Sequence, residues 1–193
     1  MTEPVAYGQG TLAPGIRSRF LPGINGLTMH VLEAGHEQPD RPLVLLLHGF
    51  PELAYSWRKV MPVLAEAGYH VVAPDQRGYG RTTGWSAEYD GDLRPFGMLN
   101  LATDILALVN ALGYRAASAV VGHDFGSPVA AWCALARPDV FRSAVMMSAP
   151  WGGPPALPAS TQKTAASSMP AANIHEQLAA LPRPRKHYHW YYS

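Results

Sequence analysis

The sequence predicts an α/β protein with a mostly parallel sheet and helices on both faces. Two observations carry that expectation. The apolar runs "PLVLLLHG" and "YHVVAPD" lack polar alternation, as strands covered on both sides do. Segments with apolar residues at helical spacing follow them, so strands and helices alternate along the chain. Such alternation implies right-handed crossovers and parallel neighbours.

Taken in order, "IRSRFLPG" and "LTMHVLEAG" flank the turn signal Gly23-Ile24-Asn25-Gly26 and predict an antiparallel start. "PLVLLLHG" is the first buried strand. "SWRKVMPVLAEAG" predicts a helix that stops at Gly68, with Pro62 as an internal blemish. "YHVVAPD" is the next buried strand, and a polar, glycine-rich loop runs from 76 to about 95. "MLNLATDILALVNALG" is the clearest amphipathic helix and ends at Gly113. "ASAVVGH" predicts a strand, "SPVAAWCALA" a helix with Pro128 in its first turn, and "FRSAVMMSAP" a last strand over 141–148. After Pro150 the texture turns rich in Pro, Ala, Ser and Gly, a long excursion away from the sheet. "NIHEQLAAL" predicts a short helix there, followed by the aromatic-rich "PRPRKHYHWYYS". Residues 1–150 therefore read as the core and 151–193 as a separate segment.

Composition narrows the function classes. A chain of 193 residues is long enough for one domain with a real core. Net charge is +1 and charged residues make up 15%, so a basic footprint for nucleic acid is missing. The cluster "RPRKHYH" at 183–189 is short and mixed with aromatics, which suits a solvated linker. Cys133 is the only cysteine and lies in an apolar run, as a small buried side chain does. The start "MTEPVAYGQG" has no signal-peptide pattern, and no apolar run approaches ~18 residues, so a cytoplasmic protein off the membrane is expected. We expect neither a cofactor nor a metal.

Two short motifs carry chemistry. In "VVGHDFGS", Gly122 and Gly126 frame Asp124 between a strand and a helix. Small residues at both ends of such a turn let the backbone fold sharply and push the central side chain above the sheet. The plainer alternative is that Asp124 tolerates a left-handed turn or caps the helix. In "LLLHGFPELAYSWR", His48-Gly49-Phe50-Pro51 follows the central apolar strand. The amide after that strand and the amide after the nucleophile can converge on one developing anion, here through the main chains of Phe50 and Phe125.

With these residues in place the chain resembles the α/β-hydrolase family, and within it the epoxide hydrolases. "HGFPELAYSWR", "APDQRGYGRT" and "VGHDFGS" look like the subfamily's core motifs, and the resemblance runs from about residue 17 to the last. It implies an α/β-hydrolase fold with the beginning of a cap in 151–193. It also implies Asp124 as nucleophile, the Phe50 and Phe125 amides as oxyanion hole, and a small-molecule epoxide and water as reactants. "KHYHWYYS" resembles the cap segment in which a tyrosine polarises the epoxide oxygen, with Tyr188 at the matching position. The family also uses a histidine base and a carboxylate on strands after the cap. None of the eight histidines stands there, so the resemblance implies the N-terminal part of an enzyme, inactive by itself.

Other residues stay open. Asp75, Arg77, Gly78 and Gly80 suit a structured loop near the site. His48 and His123 flank the centre, where a scaffold hydrogen bond is expected of each rather than base work. Trp57 and Trp151 suit either a substrate pocket or core packing. A dehalogenase of the same fold and a non-catalytic ligand-binding relative are the alternative functions.

Overall fold

The computed structural model describes residues 10–88, 90–149 and 174–184. Tyr188 and Trp151 lie outside these residues. The chain divides into two compact units, 1–152 and 153–193. In the second, a short helix spans Ile174–Ala179, where the sequence predicts one.

Six described strands form one sheet in the first unit: β1 (Ile16–Ile24), β2 (Leu27–Ala34), β3 (Leu43–Leu47), β4 (His70–Pro74), β5 (Ala119–His123) and β6 (Ala144–Met147). Their order across the sheet is β1-β2-β4-β3-β5-β6. The β1–β2 and β2–β4 pairs are antiparallel, and the β4–β3, β3–β5 and β5–β6 pairs are parallel. The parallel ends of β3, β4 and β5 therefore deliver His48, Asp75 and Asp124 to one edge. The β1–β2 hairpin closes through Asn25 and Gly26, both at positive φ, as a tight two-residue turn requires.

Both faces of the central strands β3 and β4 are covered, as their unbroken apolar runs predict. Leu43, Leu45 and Leu47 of β3 join Val72 and Val120 under α2 (Met98–Ala111) and α3 (Gly126–Ala136). Val44 and Leu46 face the other way, with Leu32, Val71 and Ala73. Burying one such side chain is worth roughly 1.5–3 kcal/mol, so this alternation pins the register of the central strands.

Three expectations need correcting. The segment after β3 is not one helix but a 3₁₀ helix, Ala54–Lys59, followed by α1, Met61–Glu66. Pro62 is no internal blemish, because it sits in the first turn of α1, where its missing N–H is not needed. Trp57, left open between pocket and core by the sequence, belongs to the core, packed with Met61, Ala54 and Leu46 and 8% exposed. The last strand is shorter than 141–148: Phe141 makes only an isolated bridge to Ala117 and fills the core. Val145, Met146 and Met147 of β6 are exposed.

At the opposite end of β4, Glu33 is buried without being isolated. Arg17 Nε lies 2.6 Å and Arg19 Nε 3.0 Å from its carboxylate, and His70 Nε2 is at 3.6 Å. Burial raises the Glu33 pKa, but His70 and the two guanidiniums outweigh it and bring the value from 4.5 to about 2. With His70 beyond hydrogen-bond length, the arginines hold the carboxylate more firmly. A depressed carboxyl stabilises the fold fully above 4.5 and loses that contribution as pH falls towards about 2. Glu33→Gln should therefore destabilise the fold at neutral pH and remove roughly 3 kcal/mol of acid dependence across this window. Urea melts on either side of the window test it. An acid profile parallel to wild type would contradict it.

Candidate active site

Asp124 stands at the point where β5 turns into α3, with φ at 50°, a left-handed backbone that few non-glycine residues adopt. The turn exists because glycine flanks it. A Cβ on Gly122 would strike the Gly126 carbonyl, and one on Gly126 would strike the carbonyls of Leu47 and His48. Hydrogen bonds then hold the turn closed. The Asp124 N–H donates to the Met147 carbonyl at 2.9 Å, and the Ser127 N–H donates to the Asp124 carbonyl at 3.0 Å. The buried Ser127 hydroxyl lies 2.8 Å from the carbonyls of both Gly122 and Met147 and accepts the Met147 N–H at 3.1 Å. Ser127 thus staples the elbow to β6.

The segment after β3 meets this elbow. The Phe50 N–H donates to Asp124 Oδ1 at 2.9 Å. Gly49 makes the approach possible, since a Cβ there would lie 2.5 Å from Asp124 Cβ and 2.7 Å from Oδ1. The Phe50–Pro51 peptide is cis. Phe125 directly follows Asp124 and caps α3, so its amide belongs to the first turn of that helix.

His48 is not poised as a base. His48 is fully buried; its Nδ1 donates to the Gly49 carbonyl at 2.9 Å and its Nε2 accepts the Gln76 N–H at 3.1 Å. Burial pushes its pKa below the ordinary imidazole value, which keeps this neutral tautomer. His123 Nδ1 lies 3.2 Å from Glu52 Oε2.

The "DQRGYGRT" loop is a polar frame beside the centre. Asp75 Oδ1 accepts the Ala54 N–H at 2.9 Å, while its Oδ2 accepts the Arg81 N–H at 3.0 Å and His30 Nδ1–H at 2.7 Å. Burial raises the Asp75 pKa, but these donors outweigh it and leave the carboxyl below its usual value. His30 Nε2 lies 2.8 Å from Ser18 Oγ, completing a serine–histidine–aspartate chain. Within that chain Asp75 is already spent on the Ala54 and Arg81 amides, which suits a scaffold. Arg77 makes a bidentate pair with Asp104 of α2, at 2.8 and 2.7 Å, tying the loop to the helix. Gly80 is required because a Cβ would collide with the Asp75 carboxylate.

A cavity of about 330 Å³ lies against the elbow, walled by Phe50, Tyr79, Trp85, Phe96, Leu101 and Phe125 among others. Trp85 and Phe96 stack edge to face at 6.2 Å, and the Trp85 indole N–H is already donated to the Thr82 carbonyl at 2.8 Å. Burial and the charge of Asp124 both raise the Tyr79 pKa, so its hydroxyl keeps its proton. Cys133 is buried, with its thiol pushed up to about 12, and plays no part.

Of the residues singled out from the sequence, Asp124, Phe50 and Phe125 come together, and Trp57 does not join them. Tyr79, Trp85, Phe96, Leu101 and Ser127 went unnoticed in the sequence. The string "GYG" and the aromatic at 96 are the signals that point to the pocket wall. Among the described residues no helix is long and apolar enough to cross a membrane, and no group of three or more His, Cys, Asp or Glu is placed to hold a metal.

A family model described as the alpha/beta hydrolase fold matches residues 42–175. Epoxide hydrolase A of Mycobacterium tuberculosis is 40% identical over 136 residues, which is 70% of this chain and 40% of that protein. An epoxide hydrolase of Caballeronia sordidicola is 42% identical over 66% of this chain and 36% of its own length. Among solved structures, an epoxide hydrolase from Vigna radiata superposes with a TM-score of 0.62 at 38% identity, over 71% of this chain and 39% of that one. An epoxide hydrolase from an endophytic Streptomyces gives 0.61 at 45% identity, over 72% and 39%. The chain thus spans about 40% of the length of these relatives.

Gly49→Ala should displace Asp124 and destabilise the fold by roughly 1–3 kcal/mol, the usual range for forcing extra methyl volume into a packed site. Denaturant melts and a structure of the variant check this. Unchanged stability with Asp124 in place would show that the two segments are not in contact.

Proposed function

The chain belongs to the α/β-hydrolase fold family, and from that premise we propose that the protein opens epoxides to vicinal diols through an ester on Asp124. One observation carries the reading. The elbow presents a carboxylate where other hydrolases of this design present a serine, and it does so against a backbone N–H.

Chemistry makes sense of the carboxylate. A serine opening an epoxide would form an ether, which water does not readily cleave. A carboxylate forms an ester, so one hard step becomes two easier ones. Asp124 Oδ1 is held by the Phe50 N–H, which leaves Oδ2 to attack a ring carbon. The C–O bond on that carbon breaks, and the alkoxide takes a proton from a tyrosine. In this reading residues 151–193 begin a cap, and Tyr188 is that donor.

In the second step water adds to the ester carbonyl, whose oxygen is the former Oδ1. The Phe50 N–H already points at it, and the Phe125 N–H at the start of α3 is the second donor. Collapse releases the diol and restores the carboxylate. His48 has both nitrogens engaged and cannot serve as the base. The family resemblance assigns that role to a histidine on strands that follow the cap. The substrate's apolar part would occupy the cavity of Phe96, Trp85 and Leu101. Halide release would call for side-chain N–H donors here; Phe50 and Phe125 present only rings, and the Trp85 N–H is committed to Thr82.

In a single turnover of the complete enzyme in heavy-oxygen water, the first diol should carry ordinary oxygen drawn from Asp124. Heavy oxygen in that first diol would mean direct attack by water and would end the ester reading. Asp124→Ala should abolish turnover while leaving the melting temperature close to wild type. Tyr188→Phe should slow ester formation on the order of 10²-fold, more than it slows ester hydrolysis.

A further inference from the structure

We propose that Gln76 is a positioning residue: through His48 it sets the peptide that aims the Phe50 N–H at Asp124. The chemical consequence rests on the epoxide reading above; the geometry does not.

The Gly49–Phe50 peptide is held from both ends. Its N–H donates to Asp124 Oδ1 at 2.9 Å. Its carbonyl accepts the His48 Nδ1–H at 2.9 Å and the Glu52 N–H at 2.9 Å. The His48 ring therefore helps to fix the plane of the peptide that carries the donor. For the ring to do so its proton must sit on Nδ1, and the Gln76 N–H, donated to Nε2 at 3.1 Å, selects that tautomer.

The Gln76 side chain completes the clamp. Its Nε2 donates to the His48 carbonyl at 2.6 Å, and both residues are buried, at 4% and 0% exposure. On another side of that carbonyl stands Gly126, where an added Cβ would lie only 2.7 Å away. The carbonyl is thus confined between the amide of Gln76 and the elbow itself. Tyr79 packs edge-on against the His48 ring, with centroids 4.9 Å apart, and keeps it from rotating. The loop after β4 thereby controls a donor on the loop after β3, although neither nitrogen of Gln76 touches Asp124.

Gln76→Met keeps the length and volume of the side chain and removes its donor. The Phe50 amide should then exchange its hydrogen about tenfold faster or more, while amides within β3 and β4 keep their protection. Alkylation of Asp124 by an epoxide, followed by mass, should slow roughly 10- to 100-fold, as small misplacements of catalytic groups do. His48→Phe keeps a ring for Tyr79 to pack on but loses both nitrogen bonds, and should have the larger effect on the Phe50 amide. Phe50 exchange that stays at the wild-type rate in both variants would overturn the proposal, whatever happens to the melting temperature. If the complete wild-type enzyme is never alkylated, the epoxide reading falls, and the exchange comparison still decides the role of Gln76.

Discussion

Everything at this site depends on how closely the backbone of the elbow approaches the end of β3. That approach is possible only because positions 49, 122 and 126 carry no side chain. It brings the Phe50 N–H within hydrogen-bond distance of Asp124. It also forces Asp124 into a left-handed conformation, at a cost of roughly 1–2 kcal/mol. The Asp124–Met147 and Ser127–Asp124 main-chain bonds and the Ser127 hydroxyl offset that cost. Strain at Asp124 is thus maintained by a neighbourhood that over-determines it.

The topology explains why the polar groups gather there. Parallel strands β3, β4 and β5 end on the same side, so His48, Asp75 and Asp124 arrive together from distant parts of the sequence. Their loops share hydrogen bonds before any substrate appears: Asp75 holds the Ala54 amide, and Gln76 holds His48. Arg77 and Asp104 fasten the same loop to α2. A site built from such mutual constraints is preorganised, which is what makes backbone donors effective against developing charge.

Much of this was legible in the sequence because it is local. Unbroken apolar runs mark strands buried on two faces, and a glycine on each side of Asp124 marks a sharp turn. Phe50 and Phe125 follow from the same logic, since only their main chains are involved. The side chains that line the pocket were harder. Tyr79, Trp85 and Phe96 lie on a loop with no periodicity, so nothing in their spacing tells which way they face. Trp57 was ambiguous because its direction depends on the break between a 3₁₀ helix and α1, where the apolar spacing suggests one continuous helix. The clamp between Gln76 and His48 spans 28 positions and joins two ordinary polar residues, a pairing that only the folded sheet reveals.

The central claim is that the elbow makes Asp124 the nucleophile. Its most direct test is to quench the complete enzyme in acid during its first encounter with a reactive epoxide and map the added mass by peptide. The account predicts one substrate mass on the peptide that contains Asp124, and none there when Asp124 is replaced by asparagine. An adduct confined to another residue, such as His123 or Tyr79, would contradict it, and so would diol formed at full rate in the asparagine variant.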